Sequence, residues 1–128
     1  MAEAKILLID DDPDFIEATR TVLESVPSYE VVVAYDGDEG IVRVQEERPD
    51  LILLDIIMPT QDGFYVCEKL KSDPELWHIP IIMLTSLSQH ISDTAYSVQD
   101  GMMLEADDFI DKPVRPQELL ARVARLLT

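Results

Sequence analysis

Five short apolar runs set the limits on this chain: KILLI at 5–9, VVVAY at 31–35, LILLD at 51–55, IPIIML at 79–84 and DFI at 108–110. A strand with one wet face alternates apolar and polar residues, whereas these runs are continuously apolar, as expected for strands of a parallel sheet covered on both faces. Between them lie stretches of helical periodicity at 13–26, 38–48, 64–72 and 88–104, with a last one, PQELLARVARLL, at 116–127. Regular alternation of strand and helix implies right-handed crossovers and an open α/β sheet with helices on both sides. DG pairs at 36–37 and 62–63 stand where strands should hand over to helices. With 128 residues, 47% of them hydrophobic, and no repeat, low-complexity stretch or linker, the expectation is one domain over 1–128.

Charge and cysteine content narrow the function. Ten basic residues against 26 acidic ones give a net charge of −16, which disfavours nucleic acid and anionic membranes and favours cationic partners or metal ions. Cys67 is the only cysteine, so an internal disulfide or a multi-cysteine zinc site is excluded, and a small half-buried thiol is expected there. The N-terminal MAEAK has no secretory pattern and the apolar runs are too short to cross a bilayer. A cytoplasmic protein is expected.

The stretch LLIDDDPDF at 7–15 runs apolar side chains straight into Asp10, Asp11 and Asp12. In an open parallel sheet, ligands bind beyond the carboxyl ends of the strands. Asp10 and Asp11 stand at that end of the first strand and Asp55 closes the third, so neighbouring strands would bring three acids to one edge. Oxygen ligands without nearby His or Cys suit a hard cation such as Mg²⁺. Asp12 precedes Pro13, the pattern of a helix cap with proline at the first helical position. The fourth strand ends in Thr85 and Ser86, and the fifth leads into Lys112 and Pro113. Taken singly, Asp10 and Asp11 read as a solvated loop end, Thr85 as a cap and Lys112 as a surface charge. Together they form a coherent set, in which a metal and an ammonium beside one carboxylate can neutralise phosphoryl oxygens while a hydroxyl donates to one of them.

In LLIDDD, LILLDIIMPTQDG, IPIIMLTS and ADDFIDKP, taken in this order, the chain resembles the response-regulator receiver domains of two-component signalling over Lys5 to Leu127. The resemblance implies a doubly wound, flavodoxin-like (βα)5 fold with strand order 2-1-3-4-5. It implies Asp55 as acceptor of a phosphoryl group from a histidine kinase or phosphotransfer protein. Asp11, Asp55 and the backbone carbonyl of Ile57 would bind Mg²⁺, Asp10 would act mainly through metal-bound water, and Lys112 would contact the phosphoryl group. Thr85 and Phe109 match the switch pair of the family, whose Lys-Pro peptide, here Lys112 to Pro113, is commonly cis. The domain would thus be a phosphoacceptor with at most self-phosphorylation and self-dephosphorylation activity, not an enzyme. It would signal to a downstream protein through the fourth predicted helix, the fifth strand and the fifth predicted helix. Ile57 and Leu87, two positions beyond Asp55 and Thr85, are apolar, which implies slow loss of the phosphoryl group to water.

The segment between Thr85 and Lys112 departs from the family pattern. It is longer by a little over one helical turn and carries Glu105 where a small residue is usual, so the 88–104 helix or its preceding loop should differ. The chain also stops after the last helix, which implies output through a partner or a chain that is part of a longer protein. Two alternatives stand: a receiver-like binding module that is never phosphorylated, and a Mg²⁺-dependent phosphatase of the haloacid dehalogenase type. The latter wants an acid two residues after its nucleophile, where this chain has Ile57.

Overall fold

The apolar runs become strands with little change of bounds. The computed structural model describes residues 4–56, 63–85 and 106–127, and in it the strands are β1 (Ala4–Ile9), β2 (Tyr29–Ala34), β3 (Leu51–Asp55), β4 (Ile81–Thr85) and β5 (Asp108–Asp111). All pair in parallel, in the order β2-β1-β3-β4-β5. The helices are α1 (Pro13–Glu24), α2 (Gly37–Glu47), α3 (Gly63–Lys71) and α4 (Pro116–Leu127), the last being the fourth among the described residues. The helix expected at 88–104 lies outside them.

Period-two alternation explains why the runs are apolar throughout. Ile6, Leu8, Leu51, Leu53, Ile82 and Leu84 pack on one side of the sheet with Ile16 and Leu23 of α1 and Leu119 and Val123 of α4. Leu7, Ile9, Ile52, Leu54, Ile81 and Met83 pack on the other with Val44 of α2 and Phe64, Val66 and Leu70 of α3. The inner strands β1, β3 and β4 therefore bury both faces and have almost no polar side to show, whereas the edge strands β2 and β5 are partly exposed, at Glu30 and Asp111. Cys67 belongs to the second of these layers and is fully buried rather than half-buried.

Local chemistry sets the element ends. The Asp12 carboxylate accepts from the N–H groups of Asp14 and Phe15, with Pro13 at the first helical position, so α1 starts where the acid run ends. It stops two residues earlier than its periodicity predicts, at Ser25, whose N–H turns back to the Val22 carbonyl ahead of Pro27. Asp36 caps α2 through the Glu39 N–H. At its other end Arg48 adopts the left-handed conformation (φ 48°) just before Pro49. β4 begins at Ile81, after Pro80, which has no N–H to give to the ladder. Two polar ties fasten the far strands: Asp108 receives Arg122 and Arg125 of α4, and Lys71 at the end of α3 donates to the Trp77 and Ile79 carbonyls and to Asp107.

Two glycines mark close approaches. At Gly63 an added Cβ would stand 2.4 Å from the Asp55 carbonyl oxygen and 2.8 Å from Ile56 Cα, both backbone atoms. At Gly40 the nearest atoms belong to a side chain instead, that of Ile9, whose Cδ1 is 2.6 Å away. Gly63→Ala is therefore expected to destabilise the domain by about 1–3 kcal/mol. Gly40→Ala is expected to cost less, because alanine recovers part of the loss through its helix propensity. Urea denaturation of both variants checks this, and a Gly40 variant less stable than the Gly63 variant would contradict it.

Candidate functional site

The acids predicted to meet do meet. Asp10 follows β1 directly, and its N–H bonds the Ala34 carbonyl at the end of β2, which fixes the backbone at the sheet edge. Its side chain is wholly buried, with Oδ1 accepting from the Asp12 N–H at 2.9 Å and Oδ2 from Lys112 Nζ at 3.0 Å. Asp11 is exposed. Asp55 closes β3, buried, with Oδ1 3.4 Å from the same Lys112 Nζ. One carboxylate oxygen from each of Asp10, Asp11 and Asp55 lies within 4.8 Å of the others. Three oxygen donors at this spacing, with no imidazole or thiolate among them, fit a hard divalent cation.

Lys112 reaches this cluster from the other side of the chain. Its N–H donates to the Thr85 carbonyl at 2.7 Å, which anchors the turn after β5 to the end of β4, and its peptide bond to Pro113 is cis. The ammonium also lies 4.2 Å from the centroid of the Phe15 ring. Phe15 was not among the residues expected at the site. The available signal is its place in the first turn of the helix that leaves the acid-bearing strand, a position that looks onto the same edge.

Charge is unevenly compensated. Burial pushes the Asp55 carboxyl up to about 6, the neighbouring Asp10 charge adds to this, and Lys112 offsets it only in part. Burial likewise raises Asp10, against the Asp12 N–H and Lys112, which favour its charged form. For Lys112 burial would lower the pKa, but the hydrogen bond to Asp10 and the charges of Asp55 and Asp10 outweigh it and raise it. One ammonium thus serves two buried carboxylates, with a third carboxylate close by.

Thr85 stands at the same edge, paired with Asp111 one position beyond the Asp55–Leu84 pair. Strand alternation places it on the α2/α3 side, where Phe109 packs against the core. Its hydroxyl is buried without a hydrogen-bond partner among the described residues. The Ile57 carbonyl, Ser86, Leu87 and Glu105 lie outside the described residues.

A family model for the response regulator receiver domain matches residues 6–124. The chain is 42% identical over 123 residues to the DNA-binding dual master transcriptional regulator RpaA of Synechocystis, covering 96% of this chain and 48% of that protein. It is 39% identical over 123 residues to the DNA-binding response regulator MtrA of Mycolicibacterium smegmatis, covering 95% and 50%. It therefore spans about half the length of these curated relatives. Among solved structures, the chemotaxis response regulator CheY4 of Vibrio cholerae superposes with a TM-score of 0.83 at 30% identity, covering 97% of this chain and 98% of that one. Nothing in these similarities supports a haloacid dehalogenase phosphatase. With the strand order, the acid cluster at the strand ends and the family match over nearly the whole chain in agreement, this chain belongs to the response regulator receiver family.

Proposed function

We propose that the domain accepts a phosphoryl group on Asp55 from the phosphohistidine of a histidine kinase or phosphotransfer protein, and that phosphorylation alters a protein-binding surface. The observation that carries this is the setting of Asp55: a buried carboxylate at a strand end, 3.4 Å from Lys112 and clustered with Asp10 and Asp11. Phosphoryl transfer asks mainly for an in-line nucleophile and for charge compensation at the phosphoryl oxygens. The Asp55 carboxylate attacks phosphorus, the P–O bond forms as the P–N bond to the donor imidazole breaks, and Lys112 neutralises oxygens of the incoming group. Asp11, Asp55 and the Ile57 carbonyl would hold Mg²⁺, with Asp10 acting through bound water. When bound, Mg²⁺ supplies the positive charge that one lysine cannot provide alone.

In the same proposal Thr85 and Phe109 form the switch. The Thr85 hydroxyl has no partner among the described residues, so a new phosphoryl oxygen offers it an acceptor. Its movement would free space for Phe109, and the response would reach a downstream protein through the 88–104 segment, β5 and α4. The whole chain, 1–128, is read as one receiver domain that signals and does not turn over a substrate beyond its own phosphorylation. No helix among the described residues is long and apolar enough to cross a membrane. We read the domain as cytoplasmic, and its net charge of −16 favours protein partners over nucleic acid.

Three outcomes are expected. Acetyl phosphate with Mg²⁺ should add one phosphoryl mass by intact mass spectrometry, and the gain should vanish in Asp55→Asn and in excess chelator; uptake that survives chelation would refute the site. In chelator, stability should fall as pH rises from about 4 to about 6, because the folded state binds the Asp55 proton more tightly than the unfolded chain, whose carboxyl has the ordinary value of 3.8. The loss amounts to at most about 3 kcal/mol, so Asp55→Asn should be the more stable protein at pH 7, and a urea midpoint that does not change over that range in the parent would contradict this. Hydrogen exchange with and without a phosphoryl mimic should change most between residues 85 and 115; a change confined elsewhere would count against the switch.

A further inference from the structure

Lys112 is a flexible four-carbon stem ending in a point charge, and holding such a group in one place costs rotamer entropy. Two carboxylates attract it, Asp10 at 3.0 Å and Asp55 at 3.4 Å. On a third side the Phe15 ring faces it at 4.2 Å from the centroid, well within the range of a cation–π contact. The ring is itself held. The Phe15 N–H is one of the two that the Asp12 carboxylate caps, Pro13 stiffens the same turn, and the side chain packs against the core layer beneath α1 and α4. The turn that delivers Asp10 and Asp11 to the sheet edge therefore also delivers the ring to the ammonium.

We infer that Phe15 is a positioning residue for phosphoryl transfer, holding the Lys112 ammonium over its ring face where it can meet the phosphoryl oxygens. The inference rests on the proposal that Asp55 is the acceptor. A ring face suits this task better than another oxygen would. It draws the cation by its quadrupole yet has no lone pair, so it does not compete with the incoming oxygens for the ammonium protons. A third carboxylate in its place would hold Lys112 more tightly and would add to the negative charge that already raises Asp55. An aliphatic side chain would fill the space but leave the ammonium to settle on Asp10, its nearer partner.

Replacing Phe15 with mono-, di- and trifluorinated phenylalanine keeps its shape while weakening the ring quadrupole in steps. The phosphorylation rate of Asp55 with acetyl phosphate and Mg²⁺, followed by intact mass, should fall with each fluorine to about three- to tenfold below the parent. Phe15→Leu should fall as far, Phe15→Trp should restore the rate, and in a Lys112→Met background the fluorine series should be flat. A rate indifferent to fluorination while the parent is phosphorylated overturns the inference and leaves the acceptor reading standing; a parent that takes no phosphoryl group overturns both. A ring-current shift on the Lys112 ε-methylene protons, seen by NMR in the parent and lost in Phe15→Leu, reports the contact without any phosphorylation. Its absence in the parent overturns the inference by itself.

Discussion

Both faces of the sheet are covered by helices, and this constraint determines where chemistry can occur. Side chains along the inner strands β1, β3 and β4 are committed almost entirely to the two core layers, so polar groups from these strands can converge only past the strand ends. β1 and β3 are neighbours in the sheet, which is why Asp10 and Asp55, 45 residues apart in the sequence, close on one another. β4 and β5 extend the same edge and bring Thr85 and Lys112 to it. The architecture thus produces the site as a by-product of burying apolar strands.

Electrostatically the edge is poised rather than satisfied. Asp10 is buried with its two oxygens engaged by the Asp12 N–H and by Lys112, while Asp55 shares that lysine at a longer distance. Burying a carboxylate without full compensation raises its pKa and weakens the fold that contains it. A cation or an incoming group that relieves this imbalance binds the folded state in preference to the unfolded one, so ligand affinity and stability are coupled through the same side chains. That coupling is what a signalling domain requires, since a change at Asp55 then alters the energy of the surrounding structure.

The frame around the acids is built to allow little movement. Gly63 lets the start of α3 lie directly against the Asp55 backbone, and its N–H donates to the Ile56 carbonyl at 2.7 Å. On the opposite side, Asp12 and Pro13 fix the first turn of α1 and with it Phe15. The Lys112 N–H is tied to the end of β4 through the Thr85 carbonyl. Backbone contacts of this kind hold the acids and the lysine in a defined mutual geometry.

Much of this was legible in the sequence, because it depends on local pattern. Continuous apolar runs announced strands buried on both faces, Asp12 before Pro13 announced a helix start, and the acids, Thr85 and Lys112 stood at strand ends in plain view. Periodicity carried no information on strand order, which came from likeness to a family, since the same runs would satisfy several orders. Nor could it say that Asp10 is wholly buried while Asp11, its neighbour, is exposed, or that Phe15 faces an ammonium 97 residues away. Within the described residues, secondary structure follows from neighbours along the chain, and the sequence by itself determined it. Which carboxylate loses its water and which ring meets which charge depends on groups brought together from distant segments, and only the tertiary structure decided that.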